Sequence, residues 1–180
     1  MSLRTATRAI VLTLACGLFL TGCTADTAKP GGARQKGKQA AEEDLNKWCA
    51  SLTDEEIHQR PAGLASVAFH LRHIPGSIDR LLTYAEDRHL SEKQLQTMKA
   101  EGTATGSTSE CLQTLSDGLR TAAARVRRMK PVDFDQPRFV GRKRMATTVG
   151  GLLVHVADHT QRHVGQAITT ARVVLDRRSV

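Results

Sequence analysis

Three histidines on one face of a predicted helix are the residues of this sequence best suited to chemistry. His155, His159 and His163 lie at i, i+4 and i+8 in a segment with helical periodicity, and residues four apart are neighbours on a helix surface. Two of them, His159 and His163, fall at the edge of an apolar stripe. The stripe comprises Leu152, Val156, Ala167, Ile168, Ala171 and Val174. Because a buried imidazole needs partners, the pattern indicates either a divalent metal site or a hydrogen-bonded polar seam.

A second histidine pair, His70 and His73, lies in an earlier predicted helix. Facing helices of a bundle build metal sites by projecting side chains into a shared pocket, so one member of this pair would join His159 and His163. Three protein ligands with an open position are typical of a catalytic site. A helical wheel places His70 nearer the apolar stripe than His73. The residues alone therefore leave the choice open, and the histidine that is not a ligand would sit at the boundary with one hydrogen bond.

The elements that must position these histidines are predicted to be helices. The periodicity predicts long helices over about residues 39–50, 63–86, 107–130 and 147–176, and a short one over 91–100. Ser107 and Glu110 form a capping box, and Thr147 or Thr148 caps the last helix. Pro75 is expected to kink its helix. Residues 132–146 look irregular and basic, and no β alternation is evident. The prediction is an all-α, antiparallel four-helix bundle.

The first residues resemble a bacterial targeting segment. Arg4 and Arg8 precede an apolar run over residues 9–20 that is too short to span a bilayer comfortably. The run ends in Leu20-Thr21-Gly22-Cys23, which resembles the lipobox of bacterial lipoproteins, where cleavage precedes the cysteine and two lipid chains anchor the protein. The expected location is the cell envelope, with membrane attachment through Cys23. The alternatives are a secreted protein, or a cytoplasmic one if the start codon is misjudged.

Three regions follow from this prediction. Residues 1–22 would be the signal peptide, residues 23–38 a flexible basic tether and residues 39–180 the bundle domain. Cleavage before Cys23 leaves 158 of the 180 residues, enough for one domain with a core. The tether has four cations and three glycines, a composition that favours flexibility and anionic lipid headgroups. The net charge is +8, but aromatic residues make up only 3%, which argues against a stacking platform for nucleic acid.

Other residues carry weaker signals with two readings each. Cys49 and Cys111 either pair as a disulfide or are separate small core residues. Gln166 and His155 are candidates to support the metal site without coordinating. Arg138, Arg142 and Arg144 bind a substrate carboxylate or lie on a solvated loop; Tyr84 is an acid or packs at the core edge; His58 and His89 read as surface residues, as does Asp158.

Three segments, residues 52–61, 66–74 and 159–166, resemble the DinB/YfiT-like superfamily. In that family one histidine lies on the second helix, and an H-x3-H with a Gly-Gln pair lies on the last helix. Here the matching residues are His73 on the second helix and His159, His163, Gly165 and Gln166 on the last. The resemblance implies a four-helix bundle with a divalent metal, often zinc or nickel, on His73, His159 and His163.

The resemblance also implies a function. Characterised members of the family catalyse thiol S-transfer or hydrolase-like reactions, and dimers are common among them. A small-molecule substrate, such as a low-molecular-weight thiol, would then be the partner. No evident general base stands beside the histidines, so a non-catalytic, membrane-tethered metal-binding or interaction protein remains the alternative. In a third reading the histidines are purely structural.

Overall fold

A computed structural model describes residues 33–179, with side chains described for residues 41–178. The helices are α1 (Ala33–Cys49), α2 (Val67–Ala85), α3 (Glu92–Ala100), α4 (Thr108–Arg128) and α5 (Val149–Asp176). Two strands, β1 (Pro137–Val140) and β2 (Met145–Thr148), lie between α4 and α5. The predicted all-α four-helix bundle is confirmed, with α1, α2, α4 and α5 as the long helices. The predicted signal peptide and Cys23 lie outside the described residues.

Capping side chains explain where the helices begin. Ser66, Ser91, Ser107 and Thr148 each accept a hydrogen bond from a backbone N–H in the first turn of the helix that follows. Such caps satisfy donors that have no partner within the helix. Helix α2 begins later than predicted because Ala62 and Gly63 have φ values of 52° and 78°, which stop a helix from forming before Ser66. Helix α1 begins at Ala33, so the last residues of the predicted tether, 33–38, are helical.

Helices α2 and α4 run in the same direction, because the chain between them goes back from the end of α2 to the level of its start. At one end, Arg72 donates to the carbonyl of Ala104 just before α4. At the other end, Arg125 near the end of α4 donates to Asp79 and Glu86 at the end of α2. Short helix α3 and the loop after it carry the chain back between these ends. Helices α1 and α5 run the opposite way: the end of α1 packs near the end of α5, where Arg172 lies 5.0 Å over the Trp48 ring.

The two parallel helices approach closely at Pro75 and Gly118. A Cβ on Gly118 would lie 2.2 Å from the Cβ of Pro75, so only glycine permits this approach. Pro75 lies inside a helix that is continuous from Val67 to Ala85. Around this contact lie fully buried side chains that include Leu71, Ile74 and Leu115. Burying such apolar area is the main favourable term in folding.

Residues 132–146 are not wholly irregular, so that part of the sequence-based prediction was wrong. β1 and β2 form an antiparallel hairpin in which Pro137 pairs with Thr148 and Val140 with Met145. The turn between them has Gly141 and Arg144 at φ values of 68° and 47°. The strands are four residues each and lie largely at the surface, so one strand face never had to be apolar. That removes the period-two pattern by which a strand is recognised.

Cys49 and Cys111 are separate buried residues, both with free thiols. Burial raises the pKa of the Cys49 thiol to about 12 and that of Cys111 above its ordinary value. Both are therefore protonated packing groups, the second of the two sequence-based readings. None of the helices within residues 33–179 combines the length and apolar character needed to cross a membrane.

Candidate metal centre

Three imidazoles from two helices meet at one point. His73 of α2 and His159 and His163 of α5 each offer a ring nitrogen, and these nitrogens lie within 4.8 Å of one another. The Nε2 atoms of His73 and His159 are 2.9 Å apart. The ring centroid of His163 lies 4.4 Å from that of His73 and 4.5 Å from that of His159. All three rings are half-buried, so the cluster lies at the surface of the bundle with one side open.

Helix geometry accounts for this convergence. His159 and His163 are one turn apart on α5 and therefore point the same way, towards α2, the helix against which α5 packs. His73 faces them from α2. The ring of Phe69, one turn before His73, stacks on its imidazole at 5.1 Å and an interplanar angle of 19°. The phenyl ring restricts rotation of the imidazole and shields it from water on that face.

A buried carboxylate holds the far side of His73. Glu101 follows α3, has a side chain only 3% exposed, and lies 2.7 Å from Nδ1 of His73. Arg80 donates to the same carboxylate at 2.5 Å. Gly76 makes the space, since a Cβ there would lie 2.5 Å from Oε1 of Glu101. His73, Gly76 and Arg80 thus form one face of α2 that encloses a single carboxylate.

This carboxylate determines which nitrogen of His73 is free. An ionised carboxylate only accepts hydrogen bonds, so Nδ1 of His73 carries the proton and Nε2 presents its lone pair to the cluster. Burial by itself would raise the pKa of Glu101, but the hydrogen bonds from His73 and Arg80 outweigh it and hold that pKa below its ordinary value. Glu101 is therefore ionised at neutral pH. Metal-binding histidines commonly have a carboxylate in this position.

A fourth histidine, His70, lies behind His163. It is 3% exposed, and its Nδ1 is 2.9 Å from Nδ1 of His163. That contact leaves Nε2 of His163 for the cluster. Desolvation, followed by the nearby His163 and His73 charges, lowers the pKa of His70 to about 4. The helical wheel correctly placed His70 deeper than His73. The structure nevertheless brings His73, and not His70, to His159 and His163. His70 is buried and does not lie at the boundary.

The donor set fits a divalent metal. Desolvation is the largest cause that lowers the pKa of His159, to about 4, and of His163, followed for both by neighbouring charges. Both rings are thus neutral at pH 7 and have a lone pair to donate. Two imidazole nitrogens on one zinc ion at about 2.0–2.1 Å and tetrahedral angles lie about 3.3 Å apart. The 2.9 Å between the Nε2 atoms of His73 and His159 is close to that spacing.

The lowered histidine pKa values predict how the metal-free protein responds to acid. Unfolded histidines have a pKa of about 6.5, whereas His70 and His159 titrate near 4 in the folded state. Between these values the unfolded chain binds more protons, so the free energy of unfolding should fall as pH falls from about 6.5 towards 4. Chemical denaturation in the presence of a chelator, from pH 7 to pH 5, measures this slope.

The matched variants for this titration are His70→Asn with His159→Asn, and His89→Asn. His89 is exposed and should leave the slope unchanged, whereas the double variant should flatten it. The range above pH 5 keeps the carboxylates with lowered pKa values, Glu56, Glu86 and Glu101, ionised in the folded state. A slope that is the same in all three proteins would contradict the assignment of neutral, buried imidazoles.

A shallow cleft of about 460 Å³ adjoins the cluster on the side of His163. Its lining includes Leu64, Phe69, Arg162 and Gln166. Gln166 is exposed and faces this cleft instead of supporting a ring nitrogen. His155 is also exposed, and its ring stacks on His159 at 5.6 Å. Asp158 points outward and pairs with Arg162, as expected from its place on the helix.

Several candidate residues lie away from the cluster. Arg138 donates to the carbonyl of Ala85, twelve residues beyond His73 and therefore about 18 Å further along α2. Arg142 and Arg144 lie in the exposed hairpin turn, which matches the second of the two sequence-based readings, a solvated loop. Tyr84 packs at the edge of the core.

The remaining two histidines are not part of the cluster. His89 is exposed as expected. His58 is half-buried instead of exposed, with its Nε2 2.8 Å from the carbonyl oxygen of Gly106. It therefore helps to fix the loop before α4.

Sequence reasoning missed Glu101, Arg80 and Phe69. Glu101 sits in the loop between α3 and α4, so no periodicity connects it to His73. One signal was present: Arg80 is seven residues after His73, on the same face of the same helix. An arginine on a buried face requires a carboxylate partner, and only the path of the chain decides which one.

A four-helix bundle that brings three imidazole nitrogens within 4.8 Å of one another defines a candidate metal-binding protein. The sequence profile of the DinB superfamily matches residues 39–167, and the chain belongs to that superfamily. The fold is similar to the structure of YfiT from Bacillus subtilis, described as a probable metal-dependent hydrolase with an unusual four-helix bundle topology. The TM-score is 0.55 at 17% identity, over 89% of this chain and 97% of that one. No curated protein sequence gave a significant match.

Proposed function

We propose that this protein is a metal-dependent thiol S-transferase or hydrolase. In it His73, His159 and His163 hold one divalent ion, with zinc and nickel the first ions to test. The observation that carries the proposal is the meeting of three ring nitrogens within 4.8 Å, with a buried carboxylate behind one of them. YfiT, with the same fold, is described as a probable metal-dependent hydrolase, which supports the same class of reaction here.

The surroundings of the cluster suit a small substrate. The cleft beside His163 is lined mainly by apolar atoms, and its lining includes Phe69, Leu64 and Gln166. An apolar substrate group would contact Phe69 and Leu64, while the exposed Gln166 amide is free to bind a polar group. A metal ion held by three protein ligands keeps a position for water or a thiol and lowers the pKa of either group.

The other residues of the site have supporting tasks in this proposal. Glu101 keeps the proton of His73 on Nδ1, and His70 contacts Nδ1 of His163, so in both rings Nε2 faces the cluster. Phe69 excludes water from one face of His73. No carboxylate among the side chains of residues 41–178 forms a hydrogen bond or ion pair with His159 or His163. A proton released during the reaction would therefore pass to solvent or to the second substrate.

The test of the proposal is metal-dependent turnover. Purified protein is stripped with a chelator, reloaded with zinc or nickel, and assayed with low-molecular-weight thiols plus electrophiles, and separately with ester and amide substrates. We expect activity only in the reloaded protein, lost in His159→Ala and retained in His89→Ala, which removes an exposed histidine. Absence of turnover with every substrate class, in protein that binds one metal ion per chain, would favour the alternative below.

The alternative is a non-catalytic, membrane-tethered metal-binding protein. The observation that favours it is that no carboxylate among the side chains of residues 41–178 forms a hydrogen bond with His159 or His163. It predicts the same metal binding but no turnover.

We also propose that the mature protein is a lipoprotein of the cell envelope. The basis is the sequence Leu20-Thr21-Gly22-Cys23 after an apolar run. Mass spectrometry of the protein expressed in a bacterial host would show a diacylated Cys23 at the new N-terminus, and Cys23→Ser would abolish the modification. The expected homodimer stays a prediction that sedimentation analysis can test.

A further inference from the structure

We propose that one end of the bundle is a docking surface for an anionic membrane. This surface, the hairpin end, consists of β1, β2, their turn at residues 141–144, and residues 127–132, which are the last two residues of α4 and the four that follow it. It lies at the end of α2, where Arg138 of β1 donates to the carbonyl of Ala85. The metal centre lies about 18 Å back along α2, towards the start of that helix.

The hairpin end exposes large apolar side chains. Val132, Phe139 and Met145 are 69%, 45% and 60% exposed, and they are three of the five large hydrophobic residues exposed within residues 41–178. Single exposed apolar residues are normal, whereas a group of them indicates an interaction site. Phe139 pairs with Ala146 and Met145 with Val140, so Phe139 and Met145 point to opposite faces near the tip of the hairpin. A membrane into which the tip inserts would contact both of these side chains.

The same end is strongly basic. Residues 127–145 contain seven cations and two acids. Six of these cations are exposed, namely Arg127, Arg128, Lys130, Arg142, Lys143 and Arg144. The Arg144 guanidinium lies 4.4 Å over the Phe139 ring, which places a charge and an apolar surface side by side. Cations beside exposed aromatic and aliphatic groups are the chemistry that binds anionic headgroups and the boundary below them.

The path of the chain identifies the membrane as the partner. The end of α1 lies at the opposite end of the bundle, where Trp48 meets Arg172 and Leu52 accepts a hydrogen bond from Thr108. Its 17 residues span about 25 Å, so its first residue, Ala33, lies towards the hairpin end. Nine residues lie between Cys23 and Ala33, so these two residues are at most about 35 Å apart when the chain is fully extended.

The segment that would hold the lipid anchor therefore leaves the domain from the end with the exposed cations and apolar side chains. This last argument depends on the lipoprotein proposal, but the charge and exposure of the hairpin end do not. Docking in this orientation would turn the metal centre and its cleft away from the bilayer, towards soluble substrates.

The experiment uses the full chain with Cys23→Ser, so that no lipid is attached. Vesicles contain either phosphatidylcholine alone or equal parts of phosphatidylcholine and phosphatidylglycerol. The single tryptophan, Trp48, reports on the far end. A second protein with Trp48→Phe and Phe139→Trp reports on the hairpin. We expect the emission of the hairpin tryptophan to shift to the blue with anionic vesicles only, and that of Trp48 to stay unchanged.

Charge-reversal variants then separate a docking face from net charge. In the Phe139→Trp background, the triple variant Arg142→Glu, Lys143→Glu, Arg144→Glu should weaken vesicle binding at least about tenfold. The triple variant Arg60→Glu, Lys99→Glu, Arg177→Glu changes the charge equally at exposed positions elsewhere and should weaken it less than about threefold. An equal loss in both triples, an unshifted hairpin tryptophan, or a response to duplex DNA without a response to vesicles would overturn the proposal.

Discussion

Replacing His163 by alanine should abolish metal binding while the bundle stays folded. The wild-type protein should hold about one divalent ion per chain after reconstitution, and the variant none. His163 belongs to the three-nitrogen cluster, so its loss removes a direct ligand, and affinity should fall by more than the 10–100-fold typical of losing an outer partner. Elemental analysis and competition with a chelating dye measure the content and the affinity.

The fold should survive this change. The His163 ring is half-buried, and its substitution leaves His70 without its 2.9 Å partner. An unsatisfied buried polar group costs about 1–3 kcal/mol, which is less than the stability of a typical domain. Far-UV circular dichroism should therefore show a helical protein with a somewhat lower melting temperature.

Two other histidines are the controls for this experiment. His155→Ala removes an exposed ring that only stacks on His159, and His89→Ala removes an exposed histidine outside the cluster. Both variants should keep the metal. One ion per chain in His163→Ala would contradict the assignment. So would a wild-type protein that binds neither zinc nor nickel, and the histidines would then be a structural polar seam.

The second large effect is expected from Glu101→Gln. The carboxylate of Glu101 accepts hydrogen bonds from His73 and Arg80 and is almost fully buried. The amide keeps the size but removes the charge, so Nδ1 of His73 is no longer held protonated and Nε2 becomes a weaker ligand. We expect metal affinity to fall about 10–100-fold. Dye competition at a temperature where both proteins are folded measures it.

The same substitution should lower stability, because Arg80 is buried as well. Breaking a buried ion pair by removing one partner costs about 3–5 kcal/mol, since the other charge is left without compensation. Arg80→Gln separates the two effects: it should lower stability in a similar way but leave His73 in contact with the carboxylate, with a smaller change in affinity.

Glu92→Gln is the control, since it neutralises an exposed carboxylate on the neighbouring helix α3. It should change neither stability nor affinity. If Glu101→Gln bound metal within about twofold of the wild type, Glu101 would be a structural ion-pair partner of Arg80 and would not tune His73.

Local signals in the sequence were sufficient for most of the helical fold. The serine and threonine caps and the apolar periodicity act over three or four residues, so they can be read directly, and Ser107 and Thr148 cap helices as the sequence indicated. The same holds for the separation of His159 from His163 by one turn. The hairpin between α4 and α5 was not found, because short strands at the surface need no alternating pattern.

The sequence by itself therefore determined the class of fold and the position of His159 and His163 on one face of one helix. It also indicated that either His70 or His73 lies beside them. The tertiary structure alone decided that His73 completes the cluster and that His70 lies behind it. It also brought Glu101 to His73. The physical reason is range: helix patterns arise from neighbours along the chain, whereas these contacts join residues 28 to 93 positions apart and depend on how the helices pack.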